Sequence, residues 1–300
     1  MSIFLHAVAI VLTLGEATLA LGAELPIFDA HIHYNHDVWE VVSPEEAIAL
    51  LRKAGMVRAL VSSSSDDGTQ KLYAEAPDLI IPELRPYRAQ GEISGWVRDE
   101  SIILHVEERL KKYTYVALGE FHVSGEQADL PVVRRLVQLA KQHGLMLHAH
   151  SDADAVERLF RQDLEARILW AHAGFEQPPR VREMMHRYKN LWAELSSRSD
   201  VAPQGQVAAD WREILLEFPD RFMIGTDTYT SERWKIIGSN AHRARKWLSE
   251  LPVEAPRASL TGTANQCSRW SSQNDANHRE TPCERHQSGR CSKGLSRRRL

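Results

Sequence analysis

The chain has 300 residues, of which 43% are hydrophobic, 26% charged and 7% aromatic. That balance suits one large globular domain or two small ones, and it excludes a coiled coil, a collagen and a wholly disordered chain. The formal net charge of −3 gives no bulk electrostatic reason to expect a nucleic-acid partner.

Residues 3–23 are almost wholly apolar or small, and Gly22-Ala23 precedes Glu24-Leu25-Pro26. This pattern suits a signal peptide of about 23 residues on an exported protein. No Lys or Arg precedes the run, and His6 and Glu16 interrupt it. The alternative is therefore an N-terminal extension of a cytoplasmic protein. Glu16 argues against a permanent span, because a charge at mid-bilayer costs about 2.5–3.5 kcal/mol on insertion scales, so no membrane span is expected in the mature chain.

From residue 26 to 251 about eight short apolar runs alternate with amphipathic stretches. The runs are 26–30, 57–61, 79–82, 115–119, 145–149, 167–171, 191–195 and 222–225. Between the first two, Ser43-Pro44-Glu45-Glu46 reads as a helix start, Ala47, Leu50, Leu51 and Ala54 share one face, and Gly55 ends it. Residues 130–143 repeat the scheme with Val132, Val133, Leu136, Leu139 and Ala140 before Gly144. Val156, Leu159 and Phe160 do so after Asp154. Eight alternations of about 28 residues predict a (β/α)8 TIM barrel over residues 24–254. A doubly wound sheet is the competitor, but no G-x-G-x-x-G follows the first run.

The composition changes near Ala255. Residues 255–300 lack Ile, Val, Phe, Met and Tyr, and they hold all three cysteines, Cys267, Cys283 and Cys291. Nine basic residues there face three acidic ones, which leaves the preceding 254 residues near −9. Such a segment buries too little apolar surface to offset its ordering entropy, so a disordered Ser/Arg-rich tail is expected, consistent with a shifted reading frame. The barrel's chemistry uses no thiol.

Catalytic groups of such barrels collect where strands end. Five of the eight run ends carry metal-ligating types: Asp29-Ala30-His31-Ile32-His33, Gly119-Glu120-Phe121-His122, His148-Ala149-His150-Ser151, Ala171-His172-Ala173-Gly174 and Gly225-Thr226-Asp227. Each alone is weak, since a lone His at a strand end is commonly structural. Their order along an eight-fold alternation is specific.

That order resembles the amidohydrolase superfamily of metal-dependent hydrolases, in its amidohydrolase-2 and TatD-like branches. The resemblance implies His31, His33, Glu120, His150, His172 and Asp227 as metal ligands, one or two divalent ions, zinc foremost with manganese or iron as alternatives, and Asp227 as the catalytic proton carrier. His148 competes with His150 on the same strand, because both face inward; His150 lies nearer the strand's end, with His148 one layer deeper. A bridging Glu120 would make the centre binuclear, and a supporting one mononuclear. His122, His148, Arg85 and Arg198 are expected to contact a small-molecule substrate. Arg88, Tyr34 and Trp39 are lesser candidates, and His36, His105, His143, His186 and His242 are expected bystanders. The implied reaction is hydrolysis of a small amide, ester or lactone. A TatD-like phosphodiesterase, a decarboxylase and a catalytically impaired barrel are the alternatives. The last follows because the family's usual final helix begins at Leu251-Pro252-Val253-Glu254 and breaks off at Ala255-Pro256-Arg257. The disordered tail then replaces that helix, and the stretch 233–251 is left to cover the seam between the first and last strands.

Overall fold

Short β-rich runs bounded by polar turns, each followed by an amphipathic helix, can bury their apolar faces only by packing helices around a parallel sheet. The computed structural model describes residues 24–252 and shows this arrangement. The strands are β1 (Ile27–Ile32), β2 (Met56–Val61), β3 (Ile80–Leu84), β4 (Ala117–His122), β5 (Met146–His150), β6 (Ile168–Trp170), β7 (Leu191–Glu194) and β8 (Phe222–Met223). All pair in parallel in the order β1 to β8. The Ile32–Thr228 bridge and the bond from Ala30 N to Ile224 O (2.8 Å) close the ring, so the fold is a (β/α)8 barrel. The expected leader and basic tail lie outside the described residues. Among the described residues no helix is long and apolar enough to cross a membrane.

Among the described residues ten α-helices accompany the strands: α1 (His36–Trp39), α2 (Pro44–Lys53), α3 (Asp67–Glu75), α4 (Ser101–Lys112), α5 (Pro131–His143), α6 (Ala153–Gln162), α7 (Pro178–Arg187), α8 (Ala209–Glu217), α9 (Ser231–Lys235) and α10 (Ile237–Leu248). Their ends follow the sequence signals. Ser43 caps α2 by accepting from Glu46 N, and Asp152 caps α6 by accepting from Ala155 N. Gly144 ends α5 in the left-handed conformation (φ 63°), which costs glycine nothing. Val132, Val133, Leu136, Val137 and Leu139 of α5 are buried, a gain of about 1.5–3 kcal/mol for each fully buried side chain.

Two apolar layers result. The larger lies between strands and helices. The smaller holds Phe28, Leu60, Ile81, Ala117, Met146, Leu169 and Met223, one residue from almost every strand, and plugs the barrel interior. Stepping two residues up a strand keeps a side chain on the same face. Leu60 leads to Ser62, Ile81 to Glu83 and Arg85, Met146 to His148 and His150, and Trp192 to Glu194 and Ser196. Polar side chains therefore stack above the plug at the open end. Helix α10 packs on α2 beside the seam, burying Ile237, Ala241, Ala244 and Leu248, so the stretch 233–251 does supply a helix there.

Candidate metal centre

At the C-terminal end of β1 the two imidazoles converge, with His31 Nε2 3.0 Å from His33 Nε2. What lies behind each ring decides what faces forward. His33 Nδ1 lies 2.7 Å from Ser62 O, and a carbonyl oxygen can only accept, so Nδ1 carries the proton. The same reasoning holds for His172, whose Nδ1 lies 3.0 Å from Ser196 O. Both neutral rings thus turn a bare Nε2 lone pair inward. Burial first, then the Arg85 guanidinium, lowers His33 to about 3, which keeps it neutral. Burial likewise lowers His172.

Carboxylates supply the counterpart. Glu120, 3% exposed, occupies the middle of the cluster. Its Oε1 stands 2.8 Å from His150 Nδ1, 3.4 Å from His31 Nε2 and 3.8 Å from His172 Nε2. Its Oε2 stands 3.3 Å from His33 Nε2 and accepts from Arg85 Nη2 at 2.8 Å. Asp227 Oδ1 is 3.8 Å from His31 Nε2 and 3.9 Å from His33 Nε2, while its Oδ2 accepts from Ser197 Oγ at 3.2 Å. Burial would raise the Glu120 carboxyl, but His31, His150 and His33 hold it well below its ordinary value. Burial also opposes a charge on His31, yet Glu120 and Glu194 push that imidazole well above its ordinary value. The cluster therefore demands positive charge at the point where the Nε2 atoms meet.

The donor set fits a divalent cation. Neutral imidazoles and ionised carboxylates are the ligands that zinc, manganese and iron take. Three overlapping sets of donors lie close enough to share an ion: His31, His33 and Asp227; Glu120, His150 and His172; and His31, His172 and Glu194. Behind these candidate ligands, Glu194 Oε1 holds His31 Nδ1 at 3.0 Å and accepts from His172 N at 2.6 Å, and Ser196 N donates to Oε2 at 2.7 Å. Such outer carboxylates fix imidazole orientation and raise ligand basicity. A Cβ on Gly225 would collide with this carboxylate and with His31, so only glycine fits there.

All six residues expected as ligands come together. Of the two strand-five histidines, His150 reaches Glu120 and is part-exposed to the cavity. His148 lies one layer deeper, fully buried, with Nδ1 3.1 Å from Glu83 Oε1 and a buried Nε2 that has no hydrogen-bond partner. His122 stacks on His150 (ring centroids 4.2 Å apart) and faces the cavity. Burial lowers it to about 3. Arg85 also faces the cavity but donates to Glu120 through Nε and Nη2, so it positions that carboxylate. Arg198 stands apart from the cluster: its guanidinium is taken up by His172 O, Glu176 O and the Asp200 carboxylate, beneath the turn that carries His172. Expected as a substrate contact, it is placed as a brace for that turn. Tyr34 is buried with its hydroxyl on Val42 O, the Trp39 indole donates to Tyr34 O, and Arg88 pairs with Glu92 and Asp99. None of these three lines the metal cavity.

The strand-six turn is unusual. His172, Ala173, Gly174 and Phe175 all have positive φ (55°, 47°, 64° and 52°). For each non-glycine residue this costs about 1–3 kcal/mol. Above the cluster opens a cavity of about 440 Å³, floored by Glu120, His172 and Asp227 and walled by Arg85, Ile93, His122 and Tyr229. That volume suits a small molecule.

The sequence model of a family described as amidohydrolase matches residues 89–265. No curated protein matches the chain. Several solved structures share its fold. An uncharacterized TIM-barrel protein from Bordetella bronchiseptica superposes with a TM-score of 0.55 at 12% identity, covering 84% of this chain and 100% of its own. A putative 2-pyrone-4,6-dicarboxylic acid hydrolase from Pseudomonas putida gives 0.54 at 15% identity, covering 83% and 99%. A TatD homolog from Escherichia coli K12 gives 0.52 at 17%, covering 83% and 95%. At these identities the likeness is one of fold.

Proposed function

The chain belongs to the amidohydrolase family, and from that premise we propose that it hydrolyses a small amide, ester or lactone at the centre formed by His31, His33, Glu120, His150, His172 and Asp227. The observation that carries the reading is the meeting of the bare His33 and His172 nitrogens with His31, His150 and ionised Glu120 on the floor of an open cavity. When bound there, a divalent cation such as zinc would supply Lewis acidity and lower the pKa of water towards about 7.

The chain's own residues do the rest. Glu194, Ser62 O and Ser196 O hold the His31, His33 and His172 rings in the tautomer that presents Nε2. Arg85 holds Glu120 Oε2, which leaves Oε1 towards His31, His150 and His172. Asp227, 15% exposed, directs Oδ1 at the histidines, and Ser197 steadies Oδ2. It is placed to take a proton from the attacking water and deliver it to the leaving group. His122, on the cavity wall and held neutral, is placed to donate to a substrate oxygen.

Elemental analysis of the purified chain beside His31→Ala/His33→Ala and Glu120→Gln tests this. We expect one or two equivalents of metal in the wild type, lost in the double variant and reduced in Glu120→Gln, together with hydrolysis of simple esters or lactones. Circular dichroism separates metal loss from unfolding. A folded wild-type chain that takes up no zinc, manganese or iron on addition would overturn the proposal.

A further inference from the structure

The strain at 172–175 has a structural consequence at its end. Phe175 is held at φ 52° with its ring 52% exposed, so burial in the core does not compensate the conformation. The ring instead stacks on His172, with centroids 4.7 Å apart and planes 25° apart, and stands 5.9 Å from His150. It forms one wall of a second cavity of about 470 Å³, whose other walls include Ile93, Val97 and Val123. Ile93, His122 and His150 border both this cavity and the metal cavity, so the two adjoin. The cavity is also lined by polar groups, Ser94, Gln127 and Asp152 among them, but Ile93, Val97, Val123 and the exposed face of Phe175, held against conformational preference, together offer a surface for a flat apolar group beside a polar reaction centre.

We infer that the second cavity is a substrate subsite for a planar apolar substituent, such as an aryl ring, next to the scissile carbonyl, and that Phe175 sets this specificity. The substrates are then aryl-substituted esters, amides or lactones in preference to short aliphatic ones. The inference rests on the hydrolase reading above and adds the substrate class.

The test compares acetohydroxamate with benzohydroxamate by titration calorimetry on the zinc-loaded full chain. The two share their metal-binding group and differ in the ring. Wild type should bind benzohydroxamate about tenfold more tightly, the gain expected of one aromatic stacking contact. In Phe175→Gly that ratio should fall to about one. The melting temperature of Phe175→Gly should stay level or rise, because glycine adopts φ 52° freely. Equal binding of the two probes by wild type, or an unchanged ratio in the variant, would overturn the subsite and leave the metal reading standing. A melting temperature lowered by several degrees would make Phe175 part of the scaffold and also overturn it. If neither hydroxamate binds, the metal reading fails instead, and benzyl alcohol decides the subsite by saturation-transfer NMR on chelated protein. Transfer lost in Phe175→Gly supports the subsite, and unchanged transfer overturns it.

Discussion

Glu194 accepts hydrogen bonds from three directions, the His31 ring, the His172 backbone and the Ser196 backbone, using both oxygens. An amide cannot reproduce this, because one of its two ends would point N–H at N–H. Glu194→Gln should therefore misalign two ligand histidines while leaving every ligand in place. We expect a 10–100-fold loss of metal affinity with normal circular dichroism, read by competition with a chromophoric chelator. An affinity within twofold of wild type would show that Glu194 is not needed to aim the rings. The residue also marks how the site was legible. His31, His33, Glu120, His150, His172 and Asp227 end apolar runs, where a polar group in a fixed chain order is conspicuous. Glu194 lies within an apolar run and Glu83 directly after one in which no second ligating type marks it, and their partners are 163 and 65 residues away in sequence. Their one local signal is period two. Each carboxylate sits two positions beyond an inward-facing apolar residue and so points into the barrel, where it needs a partner. Arg198 was ambiguous for the converse reason: a guanidinium in a strand-end loop braces carbonyls as readily as it binds substrate.

At the scale of elements, the helices that announce themselves carry caps. Ser43-Pro44, Asp152 and Gly144 stand at the ends their chemistry indicates. The strand runs are recognisable because the barrel buries both faces of each strand. Less was legible where tertiary contact sets the conformation. Only Gly174 hints at the left-handed turn 172–175, and nothing in the run 222–225 marks that β8 is confined to Phe222–Met223. Helix α10 is the element on which the seam depends, and Arg245 fastens it. Its Nε donates to Leu25 O at 2.8 Å, and its Nη2 donates to Ala54 O at 2.8 Å and Gly55 O at 3.2 Å, tying α10 to the segments that enter β1 and β2. Arg245→Ala removes the side-chain donor to Leu25 O and Ala54 O at a part-buried site, while Gly55 O keeps Ile27 N at 3.3 Å. Denaturant unfolding should show a loss of about 1–3 kcal/mol, while metal affinity stays level because Arg245 lies at the opposite end of the barrel from the cluster. An unchanged midpoint would mean that packing of Ile237, Ala241, Ala244 and Leu248 alone suffices to hold α10.

For the whole molecule, the proposed metal ligands and the weakest closure of the barrel coincide. Strand β8 has two residues, and β1 meets its continuation through Ala30 N to Ile224 O, Asp227 N to His31 O and His33 N to Thr228 O, supported by the Asp29 carboxylate on Thr226. His31 and His33 lie on one side of this seam and Asp227 on the other, and Glu120 reaches in from β4. A cation held by all four cross-links the ring at the place with fewest ladder bonds. Ligand that binds only the folded state stabilises it by mass action, by about 4 kcal/mol at a free concentration a thousand times Kd. For a domain of this size that corresponds to roughly 8–16 °C in melting temperature. The gain should also be local. In hydrogen exchange of chelated and zinc-loaded protein, the amides of Ala30, His33 and Asp227 should lose protection first on chelation, before those of the β4–β5 ladder, because local opening begins where bonds are fewest. Restoring zinc should restore them together. If chelation lowers protection evenly around the barrel, or leaves the seam amides as protected as β4 and β5, then the ring is closed by its strands and helices alone, and the cation serves chemistry without serving the fold.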